Sequence, residues 1–131
     1  MTGSGGDLAL VVDDNEKNLK LACHVLRHAG FRTVEATTGR AAVTLAVERL
    51  PDVILMDIRL PDMDGTMAVH ELKDHERTAT IPVVALTAFA MKGDRERFLA
   101  AGFDGYIEKP ISVREFPGEV RRYCGRTPPQ R

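Results

Sequence analysis

The stretch DIRLPDMDGT carries Asp57, Asp62 and Asp64 in one short segment. A carboxylate can attack phosphorus and become an acyl phosphate, so each aspartate is a candidate nucleophile. Two patterns compete for that role. If D-x-D-G-T carries the chemistry, Asp62 is the nucleophile and Asp64 its neighbouring acid. If the apolar run VILM that leads into Asp57 carries it, the nucleophile is Asp57. Three other places offer partners: Asp13-Asp14 after LALVV, Thr87 after VVAL, and Lys109-Pro110 after YIE. Whether these meet depends on the elements that hold them.

Apolar runs and helical stripes alternate along the chain. LALVV (8–12), RTVE (32–35), VILM (53–56), VVAL (83–86) and residues 103–108 read as strands. VILM, four apolar residues in a row, suits a strand buried on both faces. Between them lie amphipathic stretches. Leu19, Ala22, Cys23 and Leu26 recur at helical spacing after Asn15, and Gly30 closes that helix. Ala42, Leu45 and Ala46 mark a second helix from Gly39 to Leu50, ended by Pro51. A third runs over about 65–74, and a fourth is sketched by Met91, Arg95, Phe98, Leu99 and Gly102. Ser112, with Glu115 three residues on, opens a last helix as a capping box. Its inner stripe is Val113, Phe116, Val120 and Cys124. Alternating strands and helices imply right-handed βαβ units. The expected fold is therefore α/β, a doubly wound, flavodoxin-like, five-stranded parallel sheet in the order 2-1-3-4-5, flanked by five helices. The domain spans 7–124, with a short flexible lead at 1–6 and a frayed tail at 125–131.

In such a sheet, ligands bind beyond the carboxyl ends of the strands. Those ends carry Asp13-Asp14, Asp57, Thr87 and Lys109. Three carboxylates, a hydroxyl and an ammonium thus converge on one rim. The carboxylates repel, raising at least one pKa unless a cation sits among them. Mg²⁺, a hard cation that takes one or two carboxylates, several waters and a substrate phosphate, relieves the conflict. The site asks for phosphoryl transfer, with Lys109 and Thr87 contacting the phosphoryl oxygens.

D-x-D-G-T is also the nucleophile motif of haloacid-dehalogenase-type phosphatases, where the first aspartate directly follows an apolar strand. Here Arg59-Leu60-Pro61 precede Asp62, and proline cannot donate to a central ladder. Residues 61–65 read instead as a turn in which Asp64 caps the next helix. Asp57 is the expected nucleophile.

Composition narrows the rest. A chain of 131 residues is of one-domain length, and 44% hydrophobic with 28% charged residues is a globular balance. A net charge of -1 gives no electrostatic grip on nucleic acid or anionic lipid. No apolar stretch approaches the ~18 residues of a membrane span, and MTGSGGD is no signal peptide. Cys23 and Cys124 lie on apolar stripes and read as core residues. His24 and His28 are helical neighbours on a polar face, with no cysteine cluster near them or near His70 and His75, so zinc is not expected.

Taken together, VVDDN (11–15), ILMDIRLPDMDG (54–65), ALTAFA (85–90) and YIEKPIS (106–112) resemble the receiver domain of bacterial two-component response regulators. The resemblance covers roughly 7–124. It implies that Asp57 takes a phosphoryl group from a sensor histidine kinase or a histidine phosphotransfer protein in a Mg²⁺-dependent phosphorelay. Asp13, Asp14, Asp57 and the backbone carbonyl of Arg59 would hold the metal. Thr87 and Lys109 match the family's hydroxyl and lysine, Tyr106 matches its switch aromatic, and Lys109-Pro110 would be cis, which only an X-Pro bond allows cheaply. Such a protein catalyses its own phosphorylation and dephosphorylation rather than turning over an external substrate. DDNEKNLKL (13–21) and TAFAMKGDRERFLAAG (87–102) are similar to stand-alone cell-division regulators of the family, and to receivers of hybrid kinases. The length leaves no room for a DNA-binding output domain, so output is expected through a downstream protein target, in the cytoplasm. The alternative is a receiver-like adaptor that acts without phosphorylation.

Some positions depart from that pattern or stay open. Pro117 falls about one turn into the last helix, which must start late, kink or tolerate strain. The Arg59 side chain, two residues after the acceptor, reads equally as a modulator of phosphoryl lifetime or as a solvated surface charge. Phe89 reads as half of an aromatic switch with Tyr106 or as simple packing under its loop.

Overall fold

Helices cover both faces of the central sheet, which is why its inner strands are apolar without interruption. The structure is a computed structural model that describes residues 6–88 and 93–124. Its strands are β1 (Leu8–Val12), β2 (Arg32–Ala36), β3 (Val53–Asp57), β4 (Val83–Thr87) and β5 (Gly105–Glu108). All neighbours pair in parallel, in the order β2-β1-β3-β4-β5. The helices are α1 (Glu16–His28), α2 (Gly39–Arg49), α3 (Gly65–Asp74), α4 (Asp94–Ala101) and α5 (Phe116–Cys124). The expected doubly wound order is the one observed.

Strand parity sorts the core into two layers. Leu10, Val12, Ile54 and Met56 face α2, α3 and α4. Ala9, Val11, Val53 and Leu55 face α1 and α5. Leu55 and Met56 are wholly buried; full burial of such a side chain contributes about 1.5–3 kcal/mol. Local signals set the helix starts. Asn15 accepts from the Asn18 N–H at 3.1 Å, Thr38 from Ala41 at 3.1 Å, and Asp64 from Thr66 at 2.8 Å, each satisfying a first-turn donor. Pro51 stops α2 as expected, leaving Leu50 as a left-handed cap at φ 48°.

Three boundaries differ from the sequence reading by more than one residue. Helix α4 begins at Asp94 rather than near 91; Met91 and Phe89, and with Phe89 the expected aromatic pairing, lie outside the described residues. Strand β5 begins at Gly105, not 103. Gly102, at φ 114°, reverses the chain after α4, Phe103 drops into the core, and the Asp104 carboxylate accepts from the Val83 N–H at 2.8 Å and from Lys73 at 2.9 Å. Those contacts use Asp104 before a ladder can form. At the last helix, Ser112 does accept from the Glu115 N–H at 3.2 Å, but residues 113–115 form a turn and the regular helix starts at Phe116. Of the three outcomes left open for Pro117, the late start is the one observed. Val113 consequently lies outside the inner stripe, 61% exposed, while Phe116 and Val120 are buried. Farther along α5, the Arg121 guanidinium donates to the Ala29 carbonyl at 2.8 Å and lies 4.9 Å from the centre of the Phe31 ring.

Candidate functional site

Each strand end delivers its residue to the same cleft, a cavity of about 520 Å³ lined by Asp13, Asp14, Asp57, Thr87 and Lys109 among others. Asp13 is buried because its backbone continues the β1–β2 ladder, its N–H donating to the Ala36 carbonyl at 3.1 Å. Asp57 is the last residue of β3, paired with Leu86 of β4. Thr87 ends β4 and is 8% exposed. The Lys109 N–H donates to the Thr87 carbonyl at 2.7 Å, which fixes where the lysine leaves β5, and the Lys109-Pro110 bond is cis.

Side-chain geometry completes the cluster. The Lys109 ammonium donates to Asp13 Oδ2 at 2.9 Å and to Asp57 Oδ2 at 3.2 Å. Carboxylate oxygens of Asp13, Asp14 and Asp57 lie within 4.8 Å of one another. The other oxygens of Asp13 and Asp57 accept backbone N–H groups, from Asn15 at 2.9 Å and Arg59 at 3.2 Å. A buried and a partly buried carboxylate, Asp13 and Asp57, therefore share one ammonium, and a third, Asp14, stands exposed beside them.

The electrostatics follow. Burial, the strongest influence on Asp57, pushes its carboxyl above the ordinary value. The Lys109 charge and the Arg59 N–H pull it down, and the Asp13 charge pushes it up again. Repulsion among the carboxylates was the expected cause, yet desolvation outranks it. For Lys109, burial acts most strongly and would lower the ammonium, but the hydrogen bond to Asp13 and the charges of Asp57 and Asp13 outweigh it, and the net shift is upward. The directions are compatible: the lysine has two carboxylate partners, whereas Asp57 has a share of one lysine. An all-oxygen donor set with excess negative charge at the exposed side fits a hard divalent cation.

Asp62 and Asp64 are used elsewhere. Asp64 caps α3, accepting from the N–H and hydroxyl of Thr66 at 2.8 and 2.9 Å. The Asp62 carboxylate accepts the Gly39 and Arg40 N–H groups of α2 at 2.8 and 2.9 Å, and those two bonds, Arg40's foremost, hold it below the usual carboxylate range. The D-x-D-G-T pattern is thus two helix-terminus carboxylates in a turn. Tyr106 sits half-buried on β5, its ring 5.8 Å from Phe98 of α4. Sequence reasoning missed Phe98 as the partner of Tyr106, and missed Asp94, which lines the cleft and pairs with Arg97 at 2.9 Å. Phe98 was legible as an apolar stripe residue but not as a neighbour of Tyr106. The acidic start of α4 was the available signal for Asp94. Burial pushes the Cys23 thiol up to about 11 and the Cys124 thiol up to about 12, in keeping with core roles.

Comparison with known proteins gives the same result. Residues 9–121 match the family model for the response regulator receiver domain. The polar-differentiation response regulator DivK of Brucella ovis is 46% identical over 116 residues, covering 88% of this chain and 94% of its own. The receiver domain of a sensor histidine kinase from Pseudomonas aeruginosa, solved with a magnesium ion coordinated in its active-site cleft, superposes with a TM-score of 0.84 at 38% identity, over 92% of this chain and 99% of that one. A chemotaxis response regulator of Vibrio cholerae reaches the same TM-score, 0.84, at 26% identity, over 89% of this chain and 98% of that one. With the fold, the acidic rim and these matches in agreement, the chain belongs to the response regulator receiver domain family of two-component signalling.

Proposed function

We propose that this receiver accepts a phosphoryl group on Asp57, from a histidine kinase or a histidine phosphotransfer protein, and passes the signal on by protein contact in the cytoplasm. The observation that carries the reading is the Lys109 ammonium bridging Asp13 and Asp57, with Asp14 close by. Asp13, Asp14, Asp57 and the Arg59 carbonyl would hold Mg²⁺. When bound, Mg²⁺ supplies positive charge for the phosphoryl oxygens.

The chain's own residues supply the rest. The Asp57 carboxylate oxygen attacks phosphorus, an O–P bond forms, and the P–N bond to the donor imidazole breaks. The imidazole nitrogen leaves with the bonding pair and ends protonated, and Asp57 becomes an acyl phosphate. Lys109 turns its ammonium from the carboxylates to the phosphoryl oxygens, and the Thr87 hydroxyl donates to one of them. Attack of water on phosphorus later breaks the acyl O–P bond, releases inorganic phosphate and restores the carboxylate. The phosphoryl group carries roughly 1.5–2 negative charges where the Asp57 carboxylate carried one, drawing Thr87 towards the phosphoryl group and letting Tyr106 turn inwards behind it. The groove of about 500 Å³ beside Leu99, Tyr106, Ile107 and Tyr123 is then the surface that changes for a downstream protein.

Mass spectrometry after exposure to acetyl phosphate and Mg²⁺ tests the acceptor. Wild type and Asp62→Asn gain one phosphoryl group, and Asp57→Asn gains none. Loss of the gain in Asp62→Asn with retention in Asp57→Asn would reverse the assignment. A wild-type protein that gains nothing and still binds a partner would favour an adaptor.

A further inference from the structure

The loop that leaves β3 is secured at its base and at its tip by different means. At the base, the Gly65 N–H donates to the Ile58 carbonyl at 2.7 Å, and Arg59 and Asp64 face each other in an antiparallel bridge. Gly65 is needed there, since a Cβ would lie 2.7 Å from the Asp57 carbonyl oxygen. The tip is tied to another element. Both oxygens of Asp62 accept first-turn N–H groups of α2, from Gly39 and Arg40. The helix's own cap, Thr38, takes a third donor, Ala41. Gly39 also lets Met63 lie against the helix, because a Cβ at that position would fall 2.5 Å from Met63 Cγ.

We propose that Asp62 is a positioning residue for the metal site: its clamp on the α2 N-terminus holds the loop so that the Arg59 carbonyl stands ready beside Asp57. This rests on the reading above that the rim binds Mg²⁺. Arg59 lies between the bridge to Asp64 and the strand end, and its N–H is engaged by Asp57 Oδ1. With both ends of the loop fixed, its carbonyl needs little ordering when the metal arrives. A carboxylate suits the task, since charge-assisted bonds to two N–H groups fix orientation as well as distance, and a helix N-terminus favours negative charge. Asparagine offers one oxygen for two donors. Asp62 thus acts through Arg59 and touches neither metal nor phosphoryl group.

The test titrates Mg²⁺ against wild type, Asp62→Ala, Asp62→Asn, Thr38→Ala and Asp14→Ala. It reads the amide NMR shifts of residues 57–59, the initial rate of phosphorylation by acetyl phosphate, and the thermal midpoint. Asp62→Ala is expected to raise the Mg²⁺ half-saturation about tenfold, the low end for loss of a residue supporting a metal ligand. Its rate at saturating Mg²⁺ stays near that of wild type. Asp62→Asn, the milder change if the alanine variant does not fold, shows a smaller rise in the same sense. Thr38→Ala loosens the same helix end without touching the loop, so it lowers the thermal midpoint and leaves the half-saturation unchanged. Unchanged half-saturation in folded Asp62 variants overturns the proposal, and so does an equal rise in Thr38→Ala, which would make the effect one of general loosening. If wild type and Asp14→Ala respond alike to Mg²⁺, the metal reading itself fails, and this inference falls with it.

Discussion

Lys109 and Asp57 are bound in one electrostatic balance, so removing the lysine should be read out at the aspartate. The Lys109 charge is the strongest influence lowering the Asp57 carboxyl. In Lys109→Ala the Asp57 titration is therefore expected to move further above its ordinary 3.8, as followed by carboxyl-carbon NMR without Mg²⁺. In the proposed reaction the nucleophile is the ionised form, so the acid limb of the phosphorylation rate is expected to move to higher pH in the variant. For stability the sign is opposite to that of a salt-bridged carboxylate. Between 3.8 and the raised folded value the native state holds the proton more tightly, so Asp57 adds stability as pH falls through that window. An Asp57 titration unmoved by loss of the lysine would mean that the 3.2 Å contact does not persist in solution. The thiols give a second check. A Cys23 thiol near 11 is thiolate to on the order of 0.1% at pH 8, so Cys23 should label slowly until denaturant is added. Fast labelling of the native protein would contradict its burial. In the sequence, Asp57 could be told from Asp62 by the apolar strand before it and the proline near the other. The bonds from Asp62 to α2 could not be read, because they join residues distant in sequence across a turn.

Loops and helix ends carry the next level of specification. Gly65→Ala is expected to destabilise the protein by about 1–3 kcal/mol through overpacking, because the new Cβ meets the backbone at Asp57 and Ile58. It should also slow phosphorylation, since Asp57 cannot remain where it is. Denaturant unfolding and mass gain with acetyl phosphate measure the two effects, and a fully active variant would show that the loop yields without cost to the site. The elements themselves were largely legible, since parallel strands covered on both faces leave runs such as VILM and VVAL that admit few other readings. Their edges were not. Residue 103 looked like strand and is core, because Gly102 turns the chain there and the Asp104 side chain takes the Val83 N–H. Val113 looked like stripe and is exposed, because residues 113–115 form a turn and the regular helix starts only at Phe116. Hydrophobic pattern gives the period of a helix more readily than its first residue.

Across the whole molecule, the proposed route from the rim to the output face runs through one packed layer. Tyr106 packs on Phe98 and Phe98 on Phe103, all among the side chains facing α2, α3 and α4. With beryllofluoride, a phosphoryl mimic, wild type is expected to show amide shifts across 93–116 as well as at the rim. Thr87→Ala should still accept phosphate but respond weakly at that face. Equal responses in both proteins would remove the hydroxyl from the signalling route, and wild-type shifts confined to 13–15 and 57–59 would mean no switch at all. That the rim would assemble was readable from topology alone, whereas the aromatic packing depends on three-dimensional neighbours that no spacing reveals. The Arg121 contact bears on which part of that face is able to move. Helix α5 is pinned near its far end, by a guanidinium on the α1 carbonyl terminus and the Phe31 ring, while the turn at 113–115 that begins it lies exposed. The helix's first turns are held as well, because Phe116 and Val120 are buried in the core. A displacement where Lys109 enters the segment leading to α5 would therefore be taken up in the exposed turn, as at a hinge, and leave the helix itself seated.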